Sequence, residues 1–196
     1  QGQRGLSRKG PLAEQASYYY SQPQLAVSGS MVVGGRTLPI DPTRPARAWM
    51  DHEWSEALLA DDAVGWDWIG MNLHDGSALT AFRLRRADGS ALWAGGSFRG
   101  TGQITPQVFS ATDVSWRPLR WWTSPHSGAR YPVHWEVQTP VGTYMVNALL
   151  DAQELDSSAS TGAVYWEGLS NLSHANGQAA GRGYLEMTGY TKAMRL

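Results

Sequence analysis

Cysteine is absent from all 196 residues. That excludes disulfides, thiolate metal centres and cysteine nucleophiles together. Charge is scarce as well: Asp, Glu, Lys and Arg make up 17% of the chain, and the formal net charge is -1 with no long run of either sign. A surface without a basic stripe does not track a phosphate backbone, so nucleic acid is not an expected partner. No stretch approaches the roughly 18 consecutive apolar residues that a membrane-crossing helix requires, so no transmembrane segment is expected. No secretory leader is visible. Because the first residue is Gln1 rather than Met, the natural start is expected to lie elsewhere.

Several chemical signatures are missing too. No HExxH pair or His-x-His spacing points to zinc, and the five His are scattered. No GxGxxG opens a helix and no GxxxxGK[ST] cradles a phosphate. No GxSxG elbow presents a nucleophile. No metal or cofactor is therefore expected. Helical signal is thin: Glu53–Asp62 could hold two turns and Leu149–Glu154 one. All-β structure is the expectation, with helix well below the globular average.

What the chain does have is tryptophan, tyrosine and turns. Ten Trp and eight Tyr stand against three Phe. Such rings are apolar yet carry a polar handle, which suits both pocket walls and barrel cores. Gly34-Gly35, Asp75-Gly76, Asp88-Gly89 and Asn176-Gly177 each separate two strand-like runs. These dipeptides accept the positive φ angles of primed hairpin turns, so the chain reads as an antiparallel meander. A break falls near residues 56–64. Residues 1–57 hold too few strands to close a barrel alone. They are expected to be the last strands of an upstream barrel, and residues 58–196 a second barrel.

Three clusters could carry chemistry. In Trp49-Met50-Asp51-His52-Glu53-Trp54, a strand places His52 and Trp54 on one face and Asp51 and Glu53 on the other. A His flanked by carboxylates can act as a general acid or base. Equally, the carboxylates can pair with Arg44 and Arg47 around a structural His. In Gly65-Trp66-Asp67-Trp68, Asp67 shares a face with Ile69, Met71 and Leu73. There it must be protonated, and so able to donate a proton, or paired with Arg83 or Arg85 across the Asp75-Gly76 hairpin. Tyr165-Trp166-Glu167 and Tyr184-Leu185-Glu186 face each other across the last hairpin and are read as barrel-closing contacts.

At these clusters the chain resembles a known family. The stretches are Leu6-Ser7-Arg8-Lys9-Gly10, Ala16-Ser17-Tyr18-Tyr19-Tyr20-Ser21, Ala48-Trp49-Met50-Asp51-His52-Glu53-Trp54-Ser55, Gly65-Trp66-Asp67-Trp68, Tyr165-Trp166-Glu167-Gly168 and Gly183-Tyr184-Leu185-Glu186-Met187-Thr188-Gly189-Tyr190. Together they look like the AttH-type proteins, named as secreted hydrolases and related to carotenoid 1,2-hydratases. The resemblance implies a tandem of lipocalin-like barrels, a periplasmic or secreted location, and acid-initiated addition of water to an isoprenoid double bond. The family's His-x-Trp pair maps onto His52 and Trp54. A downstream Tyr-x-Asp pair of the hydratases has no counterpart in Thr80-Ala81-Phe82-Arg83-Leu84.

Three expectations result. One is an enzyme acting without cofactor on an apolar small molecule, an isoprenoid among the candidates. Asp51, His52, Trp54 and Asp67 would be its catalytic residues, and Tyr18, Tyr20, Trp49, Trp66, Trp68 and Trp166 its ligand-binding wall. The second is a lipocalin-like carrier without turnover. The third is a structural barrel whose rings fill the core. Partners would be the apolar ligand and the missing N-terminal barrel, from the same protein or another chain. His52 and Asp67 are expected to be buried and to share one cleft.

Overall fold

The computed structural model describes residues 5–56, 59–160 and 162–194. Among them there is no helix, and every ladder is antiparallel. No helical turn forms at Leu149–Glu154 or at the described residues of Glu53–Asp62; residues 57 and 58 lie outside the described residues. Glu53 and Trp54 end a strand, and Glu154 begins one.

Five strands precede the break. β1 (Leu6–Arg8), β2 (Ala16–Ala26) and β5 (Arg47–Trp54) form a three-stranded sheet in the order β1-β2-β5. β3 (Ser30–Val33) and β4 (Arg36–Pro39) form a separate hairpin. Ten strands follow: β6 (Gly65–Leu73), β7 (Ala78–Arg85), β8 (Ala91–Arg99), β9 (Gln107–Phe109), β10 (Ser115–Thr123), β11 (Arg130–Thr139), β12 (Gly142–Ala148), β13 (Glu154–Ser157), β14 (Ala163–His174) and β15 (Ala179–Met187). They form one sheet in the order β10-β11-β12-β14-β15-β6-β7-β8-β9, with β13 added to β14.

All four expected hairpins form, but by two different turns. Gly34 and Gly35 both have positive φ, as a type I′ turn requires. At the other three, only the glycine does. Gly76, Gly89 and Gly177 donate to Leu73, Arg86 and His174, while those residues donate to Ser77, Ser90 and Gln178. This is the three-residue loop ending in a left-handed glycine. Asp75, Asp88 and Asn176 side chains accept the N–H two residues on, which is why Asp or Asn precedes the glycine.

The large sheet curls around a single core. Arg83 on β7 lies 4.8 Å over the Trp135 ring on β11, although five ladders separate the two strands. In a flat sheet they would stand about 24 Å apart. The enclosed face is filled by fully buried Ile69, Met71, Leu79, Tyr131, Val133, Trp135, Val146, Trp166, Leu185 and Met187. The barrel interior is thus largely occupied by its own side chains.

The three-stranded sheet rests on the outer face of β6. Two devices hold it there. Gln24 has φ 59°, a left-handed conformation rare outside glycine, within the irregularity that shifts the β2–β5 register. Its N–H donates to Asn72 Oδ1 at 2.8 Å, and its side-chain amide donates to the Leu73 and Ser77 carbonyls at 3.0 and 2.7 Å. The second device is Gly70. A Cβ there would collide with the Trp68 ring and lie 2.9 Å from Trp49 Cε2. Only glycine lets Trp49 and Trp68 meet edge to face, with centroids 6.2 Å apart.

Candidate functional site

The strand pleat sends the expected site residues to three different places. Inside the barrel, Asp67 is fully buried. Register pairs it with Arg83 across the ladder. Arg83 Nε donates to Asp67 Oδ2 at 2.7 Å, and Arg85 Nε lies 3.0 Å from the same oxygen. Tyr190 donates its hydroxyl to Oδ1 at 2.8 Å. The Arg85 guanidinium covers the Tyr190 ring at 3.9 Å. Burial, and then the Asp67 charge, raise the Tyr190 phenol well above its ordinary value. Two guanidiniums and a phenol thus surround the Asp67 carboxyl inside the barrel, away from the cavity between the sheets. Of the two alternatives open for it, pairing across the hairpin is the one realised. Trp166, expected in a ligand wall, is also interior: it is fully buried and donates to the Asp151 carbonyl at 2.7 Å.

On the outer face of the three-stranded sheet lie Tyr18, Tyr20, His52 and Trp54. They are exposed, with Tyr18 at 57% and Trp54 at 50%. Tyr18 stacks on Trp54 and Tyr20 on His52, both at 5.4 Å between centroids. His52 meets Trp54 edge-on at 5.2 Å. The expectation that His52 is buried in a cleft with Asp67 is therefore corrected. β5 is an edge strand covered on one face only, and the pleat turns His52 to the open face.

The other face of β5 carries the other half of the motif. Asp51 and Glu53 remain exposed but line a space shared with Tyr19 from β2, Lys9, and outward residues of β6, β7 and β15. Between the sheets lies a cavity of about 200 Å3. Trp66, Trp68, Phe82, Leu84 and Leu59 supply its apolar wall, and Lys9, Tyr19, Asp51, Glu53 and Glu186 its polar groups. Trp66 and Trp68 are thus where a ligand wall was expected, and Trp49 backs Trp68.

The electrostatics are uneven across this cavity. Lys9 Nζ lies 2.9 Å from Glu53 Oε1 and 4.8 Å from the Tyr19 and Phe82 ring centroids. Ser17 donates to Glu53 as well. Glu186, by contrast, has no Lys or Arg within ion-pair distance among the described residues. Its Oε1 accepts the Trp66 indole N–H at 3.0 Å. Burial first, then the neighbouring Glu167, push its carboxyl up to about 7. Burial also raises Asp51, against hydrogen bonds from Ser21 and Tyr19. Burial raises Glu167 too. The Tyr19 phenol is raised by burial and by Asp51 and Glu53. The Trp68 indole N–H is buried with no hydrogen-bond partner among the described residues.

Glu186 was missed as a site residue because alternation with buried Leu185 and Met187 places it on the barrel exterior. Only the docked sheet desolvates it. One signal was available: Glu167 and Glu186 face each other in register across the last hairpin, and like charges directly opposite are unfavourable unless one is neutral.

Asp67→Asn should cost stability by about 3–5 kcal/mol, since it leaves two buried guanidiniums without a full counter-charge. Urea unfolding checks this, and an unchanged midpoint would refute the structural role. For Glu186 the sign follows from a folded value near 7 against an ordinary 4.5. Its contribution is complete below 4.5 and is lost as pH rises through 7, by at most on the order of 3 kcal/mol. Asp51 and Glu167 act in the same direction. Glu186→Gln should flatten the fall in unfolding free energy across that window; an equally steep fall would show that Glu186 does not titrate there.

The AttH-like family profile matches residues 1–190. No curated protein sequence matches the chain. Among solved structures, a protein described as AttH from Nitrosomonas europaea superposes with a TM-score of 0.89 at 48% identity, over 97% of this chain and 57% of that one. Kievitone hydratase from Nectria haematococca superposes with a TM-score of 0.73 at 19% identity, over the same shares, a likeness of fold alone. The chain therefore spans a little over half the length of both solved relatives. On the strength of the profile and the Nitrosomonas relative, this chain belongs to the AttH-like family.

Proposed function

We propose that the chain forms a cofactor-free, hydratase-like acid–base site for an apolar small molecule in the cavity between the three-stranded sheet and the barrel. One observation carries the reading. Glu186 faces an aromatic cavity without a cationic partner, while Glu53 across that cavity is ion-paired with Lys9. A carboxyl raised by burial can serve as acid, and an ion-paired carboxylate across the cavity as base. Asp51, unlike Asp67, lines that cavity together with Glu186.

The step balances as follows. The Glu186 carboxyl gives its proton to one alkene carbon, and the π pair becomes the new C–H bond. The adjacent carbon is left as a carbocation, which the Trp66 and Trp68 faces stabilise. Water adds to that carbon, and its surplus proton passes to Glu53 or Asp51. Return of a proton to Glu186 closes the cycle, so alkene and water give alcohol.

Incubation with isoprenoid alkenes in isotopically labelled water tests this. Product should gain one labelled oxygen, and Glu186→Gln should lower the rate by about 10²–10⁴. Binding without turnover is the second reading, favoured by the fixed ion pairs of Asp67. Labelling that is absent from the wild-type chain, while ligand still binds, would select it.

We also propose that residues 1–57 are the closing strands of an upstream barrel, whose inner wall is the Tyr18–Tyr20–His52–Trp54 face. The exposure of that face and the greater length of both solved relatives support this. In a chain extended upstream, hydroxyl-radical footprinting should find Tyr18, Tyr20 and Trp54 protected relative to residues 1–196. Equal labelling in both would rule the arrangement out.

A further inference from the structure

The hairpin that joins β2 to β5 supplies nothing to the cavity at its tip, and that tip stands free. Beyond Ala26 and Arg47 the two strands run on: the Val27 N–H donates to the Ala46 carbonyl and the Ile40 N–H to the Gly29 carbonyl. β3 and β4 then pair and close on the Gly34-Gly35 turn. Every residue of β3 and β4 is exposed, and the pair joins no larger sheet. A Cβ built at Gly29, Gly34 or Gly35 would meet nothing within 4 Å beyond its chain neighbours. A lone two-stranded hairpin is marginally stable at best in water, so a free tip gains from being enclosed.

The tip is apolar on both of its faces. Met31, Val32 and Val33 follow one another without alternation, at 53%, 70% and 58% exposure, and Leu38 lies opposite Met31. The pleat points Val32 to one face and Met31, Val33 and Leu38 to the other. A protein partner lying on a sheet covers one face. Apolar side chains on both faces call instead for a medium that surrounds the strand.

Charge identifies that medium. Residues 27–47 contain Arg36, Arg44 and Arg47 against one acid, Asp41. The three arginines are exposed, and none forms an ion pair among the described residues. Arg44 and Arg47 therefore do not take up Asp51 and Glu53, the partners the sequence offered them. The Asp41 carboxylate is turned to its own loop, where it accepts from the N–H and the hydroxyl of Thr43.

An apolar run beside unpaired guanidiniums matches the interface of an anionic bilayer, where acyl chains begin just beneath the lipid phosphates. Arg36 sits opposite Val33, and its long stem lets the guanidinium rise to the phosphates while the valine lies deeper. Three residues of β3 span about 10 Å, the depth to which interfacial segments sink. Water at that level still satisfies the free edges of the two strands, which the hydrocarbon core would not.

We propose that the β3–β4 tip docks the chain on anionic bilayers, with Met31, Val32, Val33 and Leu38 entering the interface and Arg36, Arg44 and Arg47 holding lipid phosphates.

The chain contains no cysteine, so one thiol-reactive, environment-sensitive fluorophore can report each hairpin separately. V32C places it at the tip, and S90C places it beside the exposed Asp88-Gly89 turn of the barrel. On vesicles of equimolar phosphatidylcholine and phosphatidylglycerol, the label at position 32 should brighten and shift to the blue, and the label at position 90 should not. Vesicles of phosphatidylcholine alone should leave both unchanged. In cosedimentation of the unlabelled chain, R36Q, R44Q and R47Q should each weaken binding about fivefold, and V32D/V33D should abolish it. Melting temperatures of these variants should match the wild type, because the tip is exposed throughout; this separates lost docking from lost folding. Absence of binding by the wild-type chain would overturn the proposal. So would equal binding to both kinds of vesicle, or an equal response from the label at position 90. Binding retained by V32D/V33D would overturn it too, and would place the contact on the exposed Tyr18–Trp54 face. A label at position 32 that becomes enclosed without lipid, in step with protein concentration, would assign the tip to a second copy of the chain instead. None of these results bears on hydration in the cavity, whose lining shares no residue with the tip.

Discussion

The structure depends on β6 being packed on both faces, buried on the inner one and half-buried on the outer. Its pleat sends Asp67, Ile69 and Met71 into the barrel and Trp66, Trp68 and Asn72 out under the three-stranded sheet. Neither set can be displaced without the other, because a one-residue slip exchanges the faces entirely. An inward shift of the tryptophans would overfill a core that already holds Trp135 and Trp166. An outward shift of Asp67 would strand Arg83 and Arg85 in the barrel. Gly70 is the point where the two requirements meet, since any side chain there would occupy the space in which Trp49 and Trp68 cross.

That geometry gives two carboxyls, fully buried Asp67 and half-buried Glu186, opposite surroundings. Asp67 lies beside the inward arginines of the next strand and is held by three donors and charges. Glu186 lies on the outer face of β15 among tryptophans and other carboxyls, with one indole N–H for support. Burial alone does not decide whether an acid stays ionised; the partners enclosed with it do. The ladder fixes those partners. Asp67 opposes Arg83, whereas Glu186 opposes Trp68 on one side and Glu167 on the other.

Much of the barrel was legible because its signals are local. The Asp-Gly and Asn-Gly turns mark three hairpins, and alternation places Asp67 with Ile69 and Met71. The arginine partners of Asp67 depend on the turn: a two-residue primed turn at Asp75-Gly76 would set Asp67 opposite Leu84, and the three-residue loop that forms sets Arg83 there. The site was harder to read. Alternation correctly separated Asp51 and Glu53 from His52 and Trp54, but a strand's sequence does not tell which face another sheet will cover. The cluster with the more reactive residue types, His52 with Trp54, lies on the face that is open here. Glu186 was invisible as a buried acid because the residues that desolvate it, Tyr19 and Asp51 among them, are more than a hundred positions away in the chain. The separation of turn types was lost as well, because Asp-Gly and Asn-Gly serve both the two-residue primed turn and the three-residue loop.

The protonation of Glu186 is then a property of the docking and not of β15. Strip away the three-stranded sheet, and Glu186 becomes an outward residue of a solvated strand, where water stabilises its charge. Dock the sheet, and the same carboxyl is enclosed with Asp51 and Glu53 on one side and Glu167 on the other. Lys9 compensates only part of this, because its ammonium is committed to Glu53 and to two aromatic faces. Burial and Glu167 favour the protonated Glu186 carboxyl there, beside the apolar wall formed by Trp66, Trp68 and Phe82. The acidity of the cavity and the attachment of the first sheet are therefore one equilibrium, anchored at its far end by Gln24 on the β6–β7 hairpin.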